Sequence, residues 1–116
     1  MKVIRTKNEK MTVEEKYVMT MSPEIGRMRD VENQIIPVDN WMIYNDVDKD
    51  GREQTLLSIL SDGRAYATNS VTFIEAFTQL NDLFTDEGME IPAVKIIGGT
   101  SKAGRHFITC AYAQLQ

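Results

Sequence analysis

Between Ser70 and Phe84 the side chains of Phe73, Ile74, Phe77, Leu80 and Phe84 recur at helical spacing and form one apolar stripe. This stripe constrains the fold more than any other feature, because a one-faced helix must bury that face against another element. Ser70 or Thr72 can cap its start, the latter with Glu75 as capping-box partner, and Gly88 lies where the chain can leave it. The predicted helix runs over about 70–85. The other apolar stretches are short and bounded by turn residues, as strands are.

Gln34–Val38 reads as a strand that Pro37 confines to a sheet edge. Trp41–Tyr44 and Thr55–Leu60 flank the turn-rich stretch NDVDKDGREQ, and Arg64–Thr68 follows an Asp62-Gly63 turn. Strands so closely spaced, with Asp-Gly turns between them, predict an antiparallel meander or small barrel. Ala93–Ile97 and Phe107–Tyr112 read as two further strands joined by the glycine-rich residues 98–106. At the N-terminus, Thr12 and Glu15 match a capping box and predict a short helix over about 12–20, ended by Ser22-Pro23. Residues 1–10 read as a short strand or a loose arm. The fold class is therefore mainly β with one long helix (α+β), with five or six strands. The 116 residues form one domain, 1–116, with no internal repeat and no linker.

Charge narrows the partners. The formal net charge is −4, so the protein is not basic all over. The charges are segregated, however: Lys95, Lys102 and Arg105 lie in a stretch, 95–106, that contains no acid, and Lys2, Arg5, Lys7 and Lys10 crowd the first ten residues. A local field of this kind can attract a polyanion to an acidic protein. No apolar run marks a secretory signal or a membrane span. The single cysteine, Cys110, excludes an internal disulfide and suits the cytoplasm.

Several motifs fail on inspection. In NDVDKDGREQTL, Asp46, Asp48, Asp50 and Gly51 imitate a calcium loop, but the twelfth position is Leu57 where a bidentate Glu is needed. A hairpin turn is the better reading. Gly99-TSKA-Gly104 has the outline of a nucleotide phosphate loop, yet Arg105-His106 replaces Lys-Ser/Thr and the chain continues as a strand. Cys110 and His106 form the one possible Cys–His pair, and on a strand they stand roughly 13 Å apart. These two residues cannot make a standard zinc site either. No catalytic constellation, metal or cofactor is expected.

The parts of a nucleic-acid site are all present. A glycine-rich hairpin tip lets backbone amides and the hydroxyls of Thr100 and Ser101 approach phosphates, with charge from Lys102 and Arg105. Lys95, Arg64 and the N-terminal basic set can add phosphate contacts. Trp41, Tyr44, Tyr66, Phe107 and Tyr112 are aromatics that either stack on bases or fill the core; the sequence leaves both open.

The order W-x-x-Y, an acidic DKDG turn, L-L-S-I, Y-A-T-x-S, an apolar helix and then K-I-I-x-G-T-S-K-A-G-R-x-F-I-T-C resembles phage single-stranded DNA-binding proteins. The similarity is to the small proteins of tailed phages of Gram-positive bacteria, and it spans Trp41 to Ala113. It implies an oligonucleotide-binding (OB-like) antiparallel β-barrel or a variant of one. It also implies sequence-independent coating of single-stranded DNA during phage genome replication, without catalysis, in the cytoplasm of the bacterial host. Phage or host replication proteins would be the further partners. Carried onto this chain, it puts Lys102, Arg105 and Phe107 at the strand, with Trp41, Tyr44 and Tyr66 as stacking platforms. The chain ends AQLQ, without the acidic tail by which many bacterial single-strand binders recruit partners. The competing reading is a protein-interaction module that inhibits a host defence or replication factor through its acidic surface.

Overall fold

The computed structural model describes residues 1–7 and 10–115. It is an α+β fold with two α-helices and eight strands in two open sheets. Strands β1 (Lys2–Thr6), β4 (Asn40–Val47), β5 (Glu53–Ser61), β6 (Arg64–Thr68) and β2 (Gly26–Arg27) form a five-stranded sheet in the order β1-β4-β5-β6-β2. Strands β3 (Ile35–Pro37), β7 (Ala93–Thr100) and β8 (His106–Ala113) form a three-stranded sheet in the order β3-β7-β8. Every pairing is antiparallel except that of β2 with β6.

Local chemistry accounts for the turns. At the β4–β5 tip Asp48 Oδ1 accepts from the backbone N–H groups of Asp50 and Arg52, both at 2.9 Å, while Gly51 takes φ +80°. The DKDG motif is thus a hairpin turn, as the sequence predicts. Between β5 and β6, Asp62 (φ 51°) and Gly63 (φ 81°) both take positive φ, the requirement of a tight two-residue hairpin. Pro37 lies on an edge strand, where its missing N–H costs no ladder bond.

Helix α1 (Val13–Thr20) starts in the predicted capping box, with Thr12 Oγ1 accepting from Glu15 N at 3.1 Å. The Glu15 carboxylate also accepts from Asn40 Nδ2 at 3.2 Å. That amide, followed by the Thr12 contacts, holds the carboxyl below its usual pKa range. Helix α2 (Val71–Asp86) is capped by Ser70, whose hydroxyl accepts from Phe73 N, and the chain leaves it through Gly88 at φ +71°. Both helices thus lie where the sequence puts them.

The main core lies between the two sheets and α2. Trp41, Ile43, Leu57 and Ile59 from one face of the five-stranded sheet meet Phe73 and Phe77 of α2 and Val94, Ile96 and Ile108 of the smaller sheet. Trp41 and Phe77 pack edge to face with centroids 5.5 Å apart, and Phe84 stacks on Tyr112 at 5.2 Å. A second cluster covers the opposite face of the large sheet, where Met42, Tyr44 and Ala65 pack with Met11 and with Met19 of α1. The large sheet is therefore covered on both faces. This explains why residues 40–44 of β4 are all buried rather than alternating.

Candidate nucleic-acid interface

The β7–β8 hairpin is longer and its tip tighter than the sequence predicts. Strand pairing continues through Gly98↔Ile108 and Gly99↔Phe107 to Thr100↔His106. Only residues 101–105 turn. Ser101 N donates to Arg105 O (2.8 Å), Gly104 N donates to Ser101 O (2.9 Å), and Gly104 takes φ +81°. Arg105 N also donates to Ser101 Oγ at 3.2 Å, which pins one lone pair of that hydroxyl but leaves its proton available. Thr100, Ser101, Lys102 and Arg105 are all exposed, and Lys102 and Arg105 make no ion pair among the described residues.

Gly98 and Gly99 consequently belong to a strand and not to a mobile loop. Each is a glycine because a side chain crosses its backbone. A Cβ on Gly98 would overlap the Glu32 carboxylate, and one on Gly99 would stand 2.7 Å from Phe107 Cζ. Glu32 in turn pairs with His106 Nε2. Phe107 is 37% exposed. By strand alternation it shares the outer face of the small sheet with Ile97 and the exposed Lys95.

The aromatics expected to stack divide clearly. Trp41 and Tyr44 are each only 3% exposed and serve the two cores, so neither offers a face to a ligand in this structure. Burial, then the charge of Asp46, raises the Tyr44 phenol above its usual pKa. Tyr66 is half-buried, with the Arg64 guanidinium 5.5 Å above its ring and Gly26 beneath it. Arg64 lines a cleft that also contains Glu24, Asp30 and Asp62, so it does not join the hairpin cations. In the N-terminal basic set, Arg5 bonds Asp82 at 2.6 Å and lies over Trp41, and Lys7 pairs with Glu90 at 3.4 Å. Those two charges are committed within the fold. Tyr112 stacks on Phe84 and is still 39% exposed.

Beside the tip of the hairpin a cleft of about 550 Å³ opens between β8 and the corner formed by β2 and the short 3-10 turn Met28–Val31. Among the described residues no Asp or Glu lines it. Its polar lining comes chiefly from Arg27, Arg29, Gln54, Asn69 and His106, and Phe107 forms part of its wall. Sequence reasoning missed Arg27 and Arg29. The signal available was two arginines flanking a methionine; Met28 is fully buried and turns both neighbours outward.

Among the described residues no three His, Cys, Asp or Glu side chains gather as a metal-binding group. Cys110 is half-buried, and desolvation pushes its thiol up to about 12. No helix among the described residues is long and apolar enough to cross a membrane.

Exposed cations on a tight hairpin, an exposed aromatic and an acid-free cleft define a class of surface suited to a flexible polyanion with aromatic groups. The family model described as phage single-stranded DNA-binding protein, of the Phi29 type, matches residues 26–113, and the chain belongs to that family. It is a non-enzymatic DNA-binding family whose ligand is single-stranded DNA. No curated protein and no solved structure matches the chain significantly.

Proposed function

We propose that the protein coats single-stranded DNA without regard to sequence and protects it during phage DNA replication, in the cytoplasm of the bacterial host. Lys102 and Arg105 neutralise phosphates at the hairpin tip, the hydroxyls of Thr100 and Ser101 and the tip amides add hydrogen bonds, and Lys95 extends the basic track. Phe107 stacks on a base, a contact worth ~1–3 kcal/mol. Trp41 and Tyr44 support the core instead, and Tyr66 is a secondary platform. The two open sheets are the halves of an OB-like barrel, a reading supported by the single core they share.

One observation carries this reading. Within an acidic protein, the exposed Phe107 lies beside the tip of a hairpin whose two exposed cations have no acid as an ion-pair partner among the described residues. Fluorescence anisotropy of labelled oligo(dT), oligo(dA) and oligo(dC) over a salt series tests it. Similar affinities for all three are expected, with log K falling linearly in log salt by about 0.7 per phosphate neutralised. Absence of binding at low salt refutes the proposal. Quenching of Trp41 is not the appropriate readout, because that ring is buried.

A further inference from the structure

The acid-free cleft is chemically unlike two other clefts of the molecule. One of those contains Glu90 and another Glu24, Asp30 and Asp62, whereas this one has no carboxylate among its described lining residues, although Asp30 and Glu32 pair with its Arg27 and His106. We propose that this cleft is a base pocket, which takes one unpaired nucleotide of the bound strand. The side-chain amides of Gln54 and Asn69 meet the edge of the base, and Arg27 and Arg29 hold the adjoining phosphates. The proposal rests on the single-stranded DNA reading above and deepens it.

The charges fit this role. Arg29 is exposed and makes no ion pair among the described residues. Arg27 meets only Asp30, at 3.5 Å and largely in solvent, a contact that a phosphate can displace at little cost. The volume fits as well, since about 550 Å³ falls among pockets that enclose a small organic ligand.

The amide pair explains tolerance of sequence. Asn69 Nδ2 donates to Gln54 Oε1 at 3.1 Å, which leaves Gln54 with free donors and Asn69 with a free acceptor. Every base offers both an acceptor and a donor on its edge, so each can satisfy this pair. A base must be unpaired and unstacked to enter, so the cleft also distinguishes a single strand from a duplex.

Two measurements on the intact protein test the pocket. In 1H–15N spectra, the side-chain amide signals of Gln54 and Asn69 should shift on saturation with a short oligo(dT) and stay unmoved with a duplex of equal length. The double variant Arg27→Ala/Arg29→Ala should bind oligo(dT) about tenfold or more weakly, with a salt slope smaller by about 1.4 for two lost phosphate contacts. Its spectrum should otherwise match the wild type, because both side chains are exposed. Unmoved amides at saturation, or wild-type affinity in the arginine variant, overturns the pocket. If Lys102→Ala/Arg105→Ala still weakens binding in that case, the hairpin reading survives. No binding by the wild type at low salt removes that reading and the pocket together.

Discussion

The ring of Phe107 lies across Gly99, its partner on the neighbouring strand, so closely that a Cβ there would stand 2.7 Å from Phe107 Cζ. The glycine provides a flat backbone floor on which the ring rests with one face available. Gly99→Ala should tilt the ring and weaken oligo(dT) binding severalfold. Phe107→Ala should cost ~1–3 kcal/mol of binding. Phe107→Leu keeps apolar cover without a π face, so affinity near that of Phe107→Ala identifies stacking as the cause; affinity near wild type rules it out.

Lys102 and Arg105 project from a turn whose hydrogen bonds are made by the backbone and Ser101, not by their own side chains. Lys102→Ala/Arg105→Ala should therefore leave the thermal unfolding midpoint unchanged within error. It should lower ssDNA affinity and flatten the salt dependence by about 1.4 in slope. A salt slope equal to that of the wild type would show that neither side chain meets a phosphate.

Ser58 Oγ is buried and has no hydrogen-bond partner among the described residues. An unpaired buried hydroxyl costs about 1–3 kcal/mol, so Ser58→Ala should be neutral or stabilising, by up to about 1 kcal/mol. Urea unfolding measures this directly. A clear loss of stability would reveal a partner for the hydroxyl.

Burial keeps the Cys110 thiol protonated well above neutral pH. With its pKa moved from 9.0 to about 12, the folded chain has roughly a thousandfold less thiolate than the unfolded chain near pH 8. Alkylation by iodoacetamide should be correspondingly slow until urea is added. The raised folded value also fixes the sign of the pH dependence. The group's contribution to stability is complete below pH 9 and is lost as pH rises toward 12. Rapid native labelling near pH 8 would contradict the buried placement.

Features governed by near neighbours in sequence are the ones that sequence reasoning recovers. The α2 stripe, the box formed by Thr12 and Glu15, the Asp48–Gly51 turn and the edge position of Pro37 all follow from side chains within a few residues of one another. Features decided at long range escape it. Gly98 reads as part of a loop because nothing nearby reveals that Glu32 will lie over it. The two-residue strand β2 exists only because β6 runs beside it, so the corner that presents Arg27 and Arg29 has no local signal beyond the two arginines that flank Met28. Trp41 and Tyr44 point to opposite faces of β4, and one of the two would be exposed if the sheet were covered on one side only. The second cover, α1 and the methionines around it, is what hides Tyr44.

Pro37 and β8 give the small sheet two unlike borders. On the β3 side the strand is three residues long and ends in a residue with no N–H to donate, so that margin cannot be extended. On the other side β8 is eight residues long with no strand beyond it among the described residues, and its stretch His106–Ile108 borders the cleft. The nucleic-acid strand proposed to lie there would run beside main-chain amides, which are alike at every position. Main chain without side-chain identity can grip a phosphate backbone and remain blind to the bases it carries.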